Sequence, residues 1–385
     1  MGMDTNTYIY LYKNIIFLRT IIHACNVHVS KIVMKREMNW GIVRLLKTGI
    51  QSLLKSEVNN MEQKHNGIIF TAIPDKSNEY YRPFYEDIIY FNEYLNENKA
   101  FTDQLISLSV EEQDFHTNFF EYDDIWLRDV APVVTNHLVK FKYQPNYLPK
   151  DQGRYLDQQF NKWLKKNDFE YVTSPLILDG GNLIWNKKDT VILTERIFDD
   201  NYDWTEEEII EQLEWDLDVS RVIIIPAEEG DVLAHADGMV KFIDEHTMFI
   251  SDFLGDHEFR YNVQEIIQEQ MPEAEFIVVP SSYTEKGQYD QEIASAKGLY
   301  INMLETCDTI YVPKFGLAKD GEVLRYIQQH TEKQAIQIHV GEISTMGGAM
   351  NCLTWYCPLH LLPSNMKRMK NQNEDFSIRK IFDWF

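Results

Sequence analysis

Cys352 lies in the run Met346-Gly347-Gly348-Ala349-Met350-Asn351-Cys352-Leu353-Thr354-Trp355. Two glycines let a backbone approach a ligand closely, and a thiol presented there is either a small packed hydrophobe or a nucleophile. Three polar islands upstream bear on the choice. Trp126-Leu127-Arg128-Asp129, preceded by Asp123 and Asp124, sets a carboxylate beside an arginine and a tryptophan ahead of an apolar run. Taken alone it reads as a loop salt bridge with a core tryptophan. Asp179-Gly180-Gly181-Asn182 follows the apolar Leu176–Leu178 and taken alone is ordinary turn chemistry. His235-Ala236-Asp237-Gly238 leads into Met239-Val240-Lys241-Phe242. Residues two apart on a strand share a face, so His235 and Asp237 would point into one site. A hydrogen-bonded structural histidine is the plain alternative. A metal site is another, but no further ligand cluster completes it.

As a set, a soft thiol, one histidine and two or three carboxylates suit attack on a cationic, planar carbon. A guanidinium is such a target, since it is always charged and carries N–H donors in a fixed fork that carboxylates bind bidentately. A cation beside the thiol also favours thiolate. The thiolate would attack the central carbon, and the histidine would pass a proton to departing ammonia and later take one from water.

In type and order this set resembles the agmatine deiminase and bacterial-type peptidylarginine deiminase family of guanidine-modifying enzymes. The resemblance runs from Ile68 to Pro358. It rests on Trp126-Leu127-Arg128-Asp129-Val130-Ala131-Pro132, Asp179-Gly180-Gly181, His235-Ala236-Asp237, Tyr300-Ile301-Asn302 ahead of Val312-Pro313, and Gly347-Gly348-Ala349-Met350-Asn351-Cys352-Leu353-Thr354. The resemblance implies an α/β fold, a five-bladed pseudo-symmetric propeller (pentein) of ββαβ units around a central pocket. It implies Cys352 as nucleophile, His235 as general acid/base, and Asp129 and Asp237 as holders of the guanidinium nitrogens. Trp126, Asp179 and Asn302 would orient groups or line the substrate pocket. No metal and no cofactor are implied. The expected reaction is deimination of agmatine to N-carbamoylputrescine and ammonia, as in polyamine biosynthesis, with peptidyl-arginine as the alternative substrate. An amidinotransferase, a non-catalytic binder and a metal hydrolase are the competing classes. Members are often homodimers. Five departures bear on substrate choice: Asn351 and Trp355-Tyr356 stand where agmatine deiminases commonly have His and Gln-Gln, Ala131 and Ala234 where Gly is usual, and Asp179 where Glu is.

The remaining cysteines, Cys25, Cys307 and Cys357, show no zinc-ligand spacing, and Cys307 and Cys357 are expected to be packed. Few cysteines suit a reducing, cytoplasmic setting. A formal net charge of -23 argues against nucleic acid and anionic membrane as partners and is compatible with a small cationic guanidine. No apolar run is long enough to span a bilayer.

The elements that must position these residues alternate. Apolar, β-branched runs predict strands at 68–73, 105–109, 132–141, 190–194, 221–225, 238–243, 247–251, 275–279, 309–313 and 336–340. Helices are predicted at 81–97, 153–166, 205–214, 261–270 and 320–330, with a capping box at Thr205–Glu208. This alternation favours an α/β repeat. Residues 1–60 carry eight Lys/Arg against three acids. They are expected to be an extension, poorly ordered or helical, or to follow a start codon placed too early. A single catalytic domain is expected over 61–385.

Overall fold

The long apolar runs become strands buried along their whole length, as expected of strands covered on both faces. Gly67–Ala72, Asp103–Ser109 and Thr190–Thr194 contain no exposed residue. The computed structural model describes residues 66–367, within a unit spanning Asn66–Phe385. The expectation for residues 1–60 lies outside the described residues.

The elements run β1 (Gly67–Ala72), α1 (Tyr85–Asn98), β2 (Asp103–Ser109), β3 (Thr117–Phe119), α2 (Leu127–Val130), β4 (Val133–Val134), β5 (Leu138–Lys142), α3 (Lys150–Lys166), β6 (Val172–Ile177), β7 (Ile184–Trp185), β8 (Thr190–Thr194), α4 (Arg196–Asp200), α5 (Glu206–Leu217), β9 (Arg221–Ile225), β10 (Val240–Phe242), β11 (Thr247–Ser251), α6 (His257–Gln270), β12 (Glu275–Val279), β13 (Leu304–Glu305), β14 (Thr309–Lys314), α7 (Asp320–Gln329), β15 (Gln334–His339) and β16 (Trp355–Pro358). The described residues form five sheets, ordered β16-β1-β2-β3, β4-β5-β6, β7-β8-β9, β10-β11-β12 and β13-β14-β15. Each repeats one plan: an antiparallel pair, then a helical crossover to a strand parallel with the second. In the first sheet the antiparallel partner of β1 is β16, from the far end of the chain.

The helices cover more than their own sheets. Helix α5 packs on β6, α6 on β9 and α1 on β15. Trp163 of α3 meets Phe70 of β1 edge-to-face at 5.4 Å. Each of these contacts joins a helix to the preceding sheet, or, for α1, to the last. Phe70 also stacks on Trp355 at 5.1 Å, and the Trp355 indole N–H donates to the Pro132 carbonyl at 2.9 Å. The end of the chain that carries Cys352 is thereby fixed to the first and second sheets.

Several boundaries differ from the sequence reading. The predicted strand 132–141 is a hairpin, β4 and β5, because Thr135-Asn136-His137 turns the chain and the Thr135 N–H donates to the His137 carbonyl at 2.9 Å. The strand predicted at 238–243 begins only at Val240, and Ala236–Gly238 is a 3-10 turn. Cys307 is exposed rather than packed, because it occupies the turn between β13 and β14. Cys357 is buried in β16. The capping box forms at α5, with the Thr205 side chain accepting from the Glu208 N–H and the Glu208 side chain from Thr205.

Trp355→Ala removes a fully buried indole and should cost about 3–5 kcal/mol of stability. Denaturant unfolding followed by circular dichroism measures this, with Trp355→Phe expected to lose much less.

Candidate active site

The connection leaving the last strand of each sheet carries one polar island just before the next sheet begins. Asp129 precedes β4, Asp179 precedes β7, His235 and Asp237 precede β10, Asn302 precedes β13, and Cys352 precedes β16. Short turns present them: α2, the 3-10 turns Gly180–Asn182 and Ala236–Gly238, and the turn that follows Gly341–Met346. Hydrogen bonds join one turn to another. The Asn182 side-chain oxygen accepts from the Thr194 N–H at 2.9 Å and the Ala236 N–H at 3.2 Å. The Arg128 N–H donates to the Cys352 carbonyl at 3.2 Å. Asp124 accepts from the Trp126 N–H at 3.3 Å and from the Tyr81 hydroxyl, which anchors the first island. Ala234, at φ +50°, holds the left-handed conformation that favours glycine and turns the chain toward His235.

Cys352 is 6% exposed. Its Sγ lies 3.3 Å from Asn302 Nδ2 and 3.8 Å from Asp237 Oδ2. Asn302 Oδ1 also accepts from the Asn351 N–H at 3.1 Å and from the Cys352 N–H at 3.5 Å, which holds the backbone of this turn. Gly348 is required beside them: a Cβ there would strike the Trp126 ring and come within 2.9 Å of Cys352 Cβ. Burial first, then the carboxylates of Asp237 and Asp129, push the thiol well above its ordinary range.

His235 is 4% exposed and held at both nitrogens. Nε2 faces Asp179 Oδ2 at 3.1 Å, and Nδ1 lies 3.7 Å from Asp129 Oδ1. Burial pulls the imidazole down, but Asp129 and Asp179 outweigh it and raise it to about 9. Burial pushes Asp129 up to about 7; His235 opposes the rise, while Asp179 and Asp237 add to it. Asp129 Oδ1 accepts the Gly181 N–H at 3.1 Å. A Cβ on Gly181 would lie 2.7 Å from Asp129 Oδ1, 2.8 Å from His235 Nδ1 and 3.3 Å from Asp237 Oδ2. Three functional groups therefore converge on one glycine. His235 and Asp237 reach it from a turn, not from one face of a strand.

All seven residues singled out in the sequence lie in this neighbourhood. Two others were missed. Arg196, at the start of α4, donates from Nη2 to Asp179 Oδ2 at 3.1 Å, pairs with Asp200 at 3.1 Å, and reaches His235 Nε2 at 3.3 Å. Tyr147 donates its hydroxyl to the same Asp179 oxygen at 3.3 Å and lies under the Arg196 guanidinium at 5.3 Å. Neither stands in a motif, so no local signal marks them. Asp179 thus acts on His235 and Arg196, where it orients the imidazole. Among the described residues no group of three or more His, Cys, Asp or Glu is placed to hold a metal ion.

Sheets of ββαβ plan, with a thiol, an imidazole and buried carboxylates gathered in their connections, place the chain among the guanidine-modifying hydrolases. Residues 77–358 match the model of the Porphyromonas-type peptidyl-arginine deiminase family, and the chain belongs to that family. Its fold is shared with agmatine deiminase of C. jejuni, at 16% identity over 77% of this chain and 94% of that one, TM-score 0.62. Agmatine deiminase of Enterococcus faecalis is equally similar, at 16% identity, with 77% and 94% of the two chains covered and a TM-score of 0.62. No curated protein matches the sequence significantly. No described helix is long and apolar enough to cross a membrane.

Gly181→Ala places a methyl group among Asp129, His235 and Asp237. Turnover should fall by about 10²-fold or more, since misplacement of about 1 Å is enough for such a loss. Steady-state kinetics beside an unchanged circular dichroism spectrum checks it.

Proposed function

We propose that the protein hydrolyses a guanidinium group to a ureido group and ammonia through a covalent thiouronium on Cys352. Agmatine, giving N-carbamoylputrescine, is the substrate in this reading. The observation that carries it is the convergence of Asp129, His235 and Asp237 on Gly181, with Cys352 Sγ 3.8 Å from Asp237 Oδ2. Two carboxylates suit the nitrogens of a fork-shaped cation, and the thiol stands at the side of one of them. The same reading closes the five sheets into a five-bladed propeller. It draws support from the pairing of β16 with β1 and from the packing of α1 on β15.

In the free site the thiol is protonated and the imidazole charged. A guanidinium seated between Asp129 and Asp237 offsets the negative charge that holds the thiol up, so thiolate forms as substrate binds. The thiol proton having left to solvent on binding, Sγ attacks the central carbon. His235 gives its Nδ1 proton to one amino group, the C–N bond breaks, and ammonia departs. Neutral His235 then takes a proton from water as its oxygen adds to the thiouronium carbon. The C–S bond breaks, the remaining hydroxyl proton returns to sulfur, and the ureido product is released. Asn302 and Trp126 hold the thiol and wall the site beside it.

A second reading, peptidyl-arginine as substrate, is supported by the description of the family to which the chain belongs. Ammonia and ureido release from agmatine, free arginine and a short arginine peptide separates the two. Agmatine turnover should dominate and fall at least about 10³-fold in Cys352→Ala. Peptide turnover instead would keep the chemistry and change the substrate.

The pH profile follows from the charges. Asp129 must be ionised to hold the cation, so KM should rise as pH falls through about 7. His235 must be protonated to release ammonia, so kcat/KM should fall as pH rises through about 9. Asp129→Asn should raise KM strongly and remove the acid limb.

A further inference from the structure

Asn351, beside the nucleophile, is 5% exposed and uses both ends of its amide. Its Oδ1 accepts from Arg128 Nη2 at 3.1 Å, and its Nδ2 donates to Asp237 Oδ2 at 2.7 Å. Arg128 can only donate and a carboxylate only accepts, so the partners fix which way the amide points. The Asp237 oxygen it holds is the one 3.8 Å from Cys352 Sγ. Arg128 makes no ion pair among the described residues, and its Nε has no hydrogen-bond partner there. Its side chain is thus engaged through a neutral amide that leads to Asp237. A cation at one end of such a chain polarises the amide and strengthens the bond at the other.

We propose that Arg128 and Asn351 form a positioning relay that holds Asp237 by Oδ2 and offsets the carboxylate charge facing the Cys352 thiol. The charged groups that act on that thiol are Asp237 and Asp129, which oppose its ionisation, and Arg128, which favours it. The relay is the link between the cation and the nearer of the two anions. It sets a chemical requirement at position 351: one acceptor and one donor on the same side chain. Asparagine meets it, and so does neutral histidine. Leucine, which has asparagine's number and branching of side-chain heavy atoms, meets neither half. Shape alone would favour the opposite order, with leucine, which keeps asparagine's branched outline, tolerated ahead of the longer histidine ring.

This inference rests on the reading of Cys352 as nucleophile and Asp237 as guanidinium holder. The test is the pH dependence of Cys352 alkylation by iodoacetamide, with the label located by peptide mass mapping, alongside KM and kcat for the guanidine that is turned over. Asn351→Leu should move the alkylation midpoint up by about one pH unit and raise KM about tenfold. Asn351→His should restore both most of the way to wild type. Arg128→Gln, which breaks the far end of the relay without touching position 351, should shift both in the same direction as Asn351→Leu and by less. It keeps the test open if Asn351→Leu does not fold. Wild-type midpoint and KM in Asn351→Leu or Arg128→Gln would overturn the relay, as would an Asn351→His protein no better than Asn351→Leu. Failure of the underlying reading looks different: turnover would survive in Cys352→Ala, and wild-type Cys352 would show no substrate-dependent change in labelling.

Discussion

The constraint on which the rest of the site depends is electrostatic. Asp129, Asp179, Asp237 and the Cys352 thiol are buried close together, and each is at most 7% exposed. Buried carboxylates are costly unless paired. Asp179 is paired, with Arg196 and His235. Asp129 has the His235 imidazole at 3.7 Å, and Asp237 has the amide of Asn351. The site is therefore short of positive charge between Asp129 and Asp237, where a planar cation would complete it. The same crowding, with burial, pushes the Cys352 thiol well above its ordinary range.

The fold makes such crowding sustainable by drawing the groups from separate connections. Each turn is anchored by its own sheet, so no group can drift away from its neighbours without strain elsewhere. The glycines at 181 and 348 are where two such turns come too close for a side chain. Trp355 performs the complementary task, tying the Cys352 turn into the aromatic cluster of Phe70 and Trp163. Trp355 and Cys352 are three residues apart, so the core and the candidate site share one segment.

Much of this was legible in the sequence, for a physical reason. The polar breaks that hold Trp126 and Asp129, Asp179, His235 and Asp237, and Cys352 stand out by contrast with the apolar strands that follow; taken singly each reads as ordinary structure, and it was the family resemblance that joined them and added Asn302. The long buried strands and the amphipathic helices are equally plain. What escaped was short or held at a distance. Strands of two or three residues such as β4, β7 and β13 carry no periodicity. The His-x-Asp pair reads as a strand because a strand, β10, starts three residues beyond Asp237. Arg196 and Tyr147 act through Asp179 across the fold, and a single sequence shows no pairing between positions so far apart. Asn351 was visible as a departure from the family's usual histidine, but its use of both amide ends required coordinates.

The central claim is that a cationic guanidine, seated in the carboxylate nest, becomes covalently attached to Cys352. Acid quench during turnover, followed by mass spectrometry of the peptide that carries Cys352, tests it directly with agmatine and with an arginine peptide. A thiouronium adduct on Cys352, formed with a turned-over substrate and missing in His235-intact enzyme that lacks the thiol, is the predicted result. Turnover with no adduct on Cys352 at any quench time, and undiminished in Cys352→Ala, would contradict it.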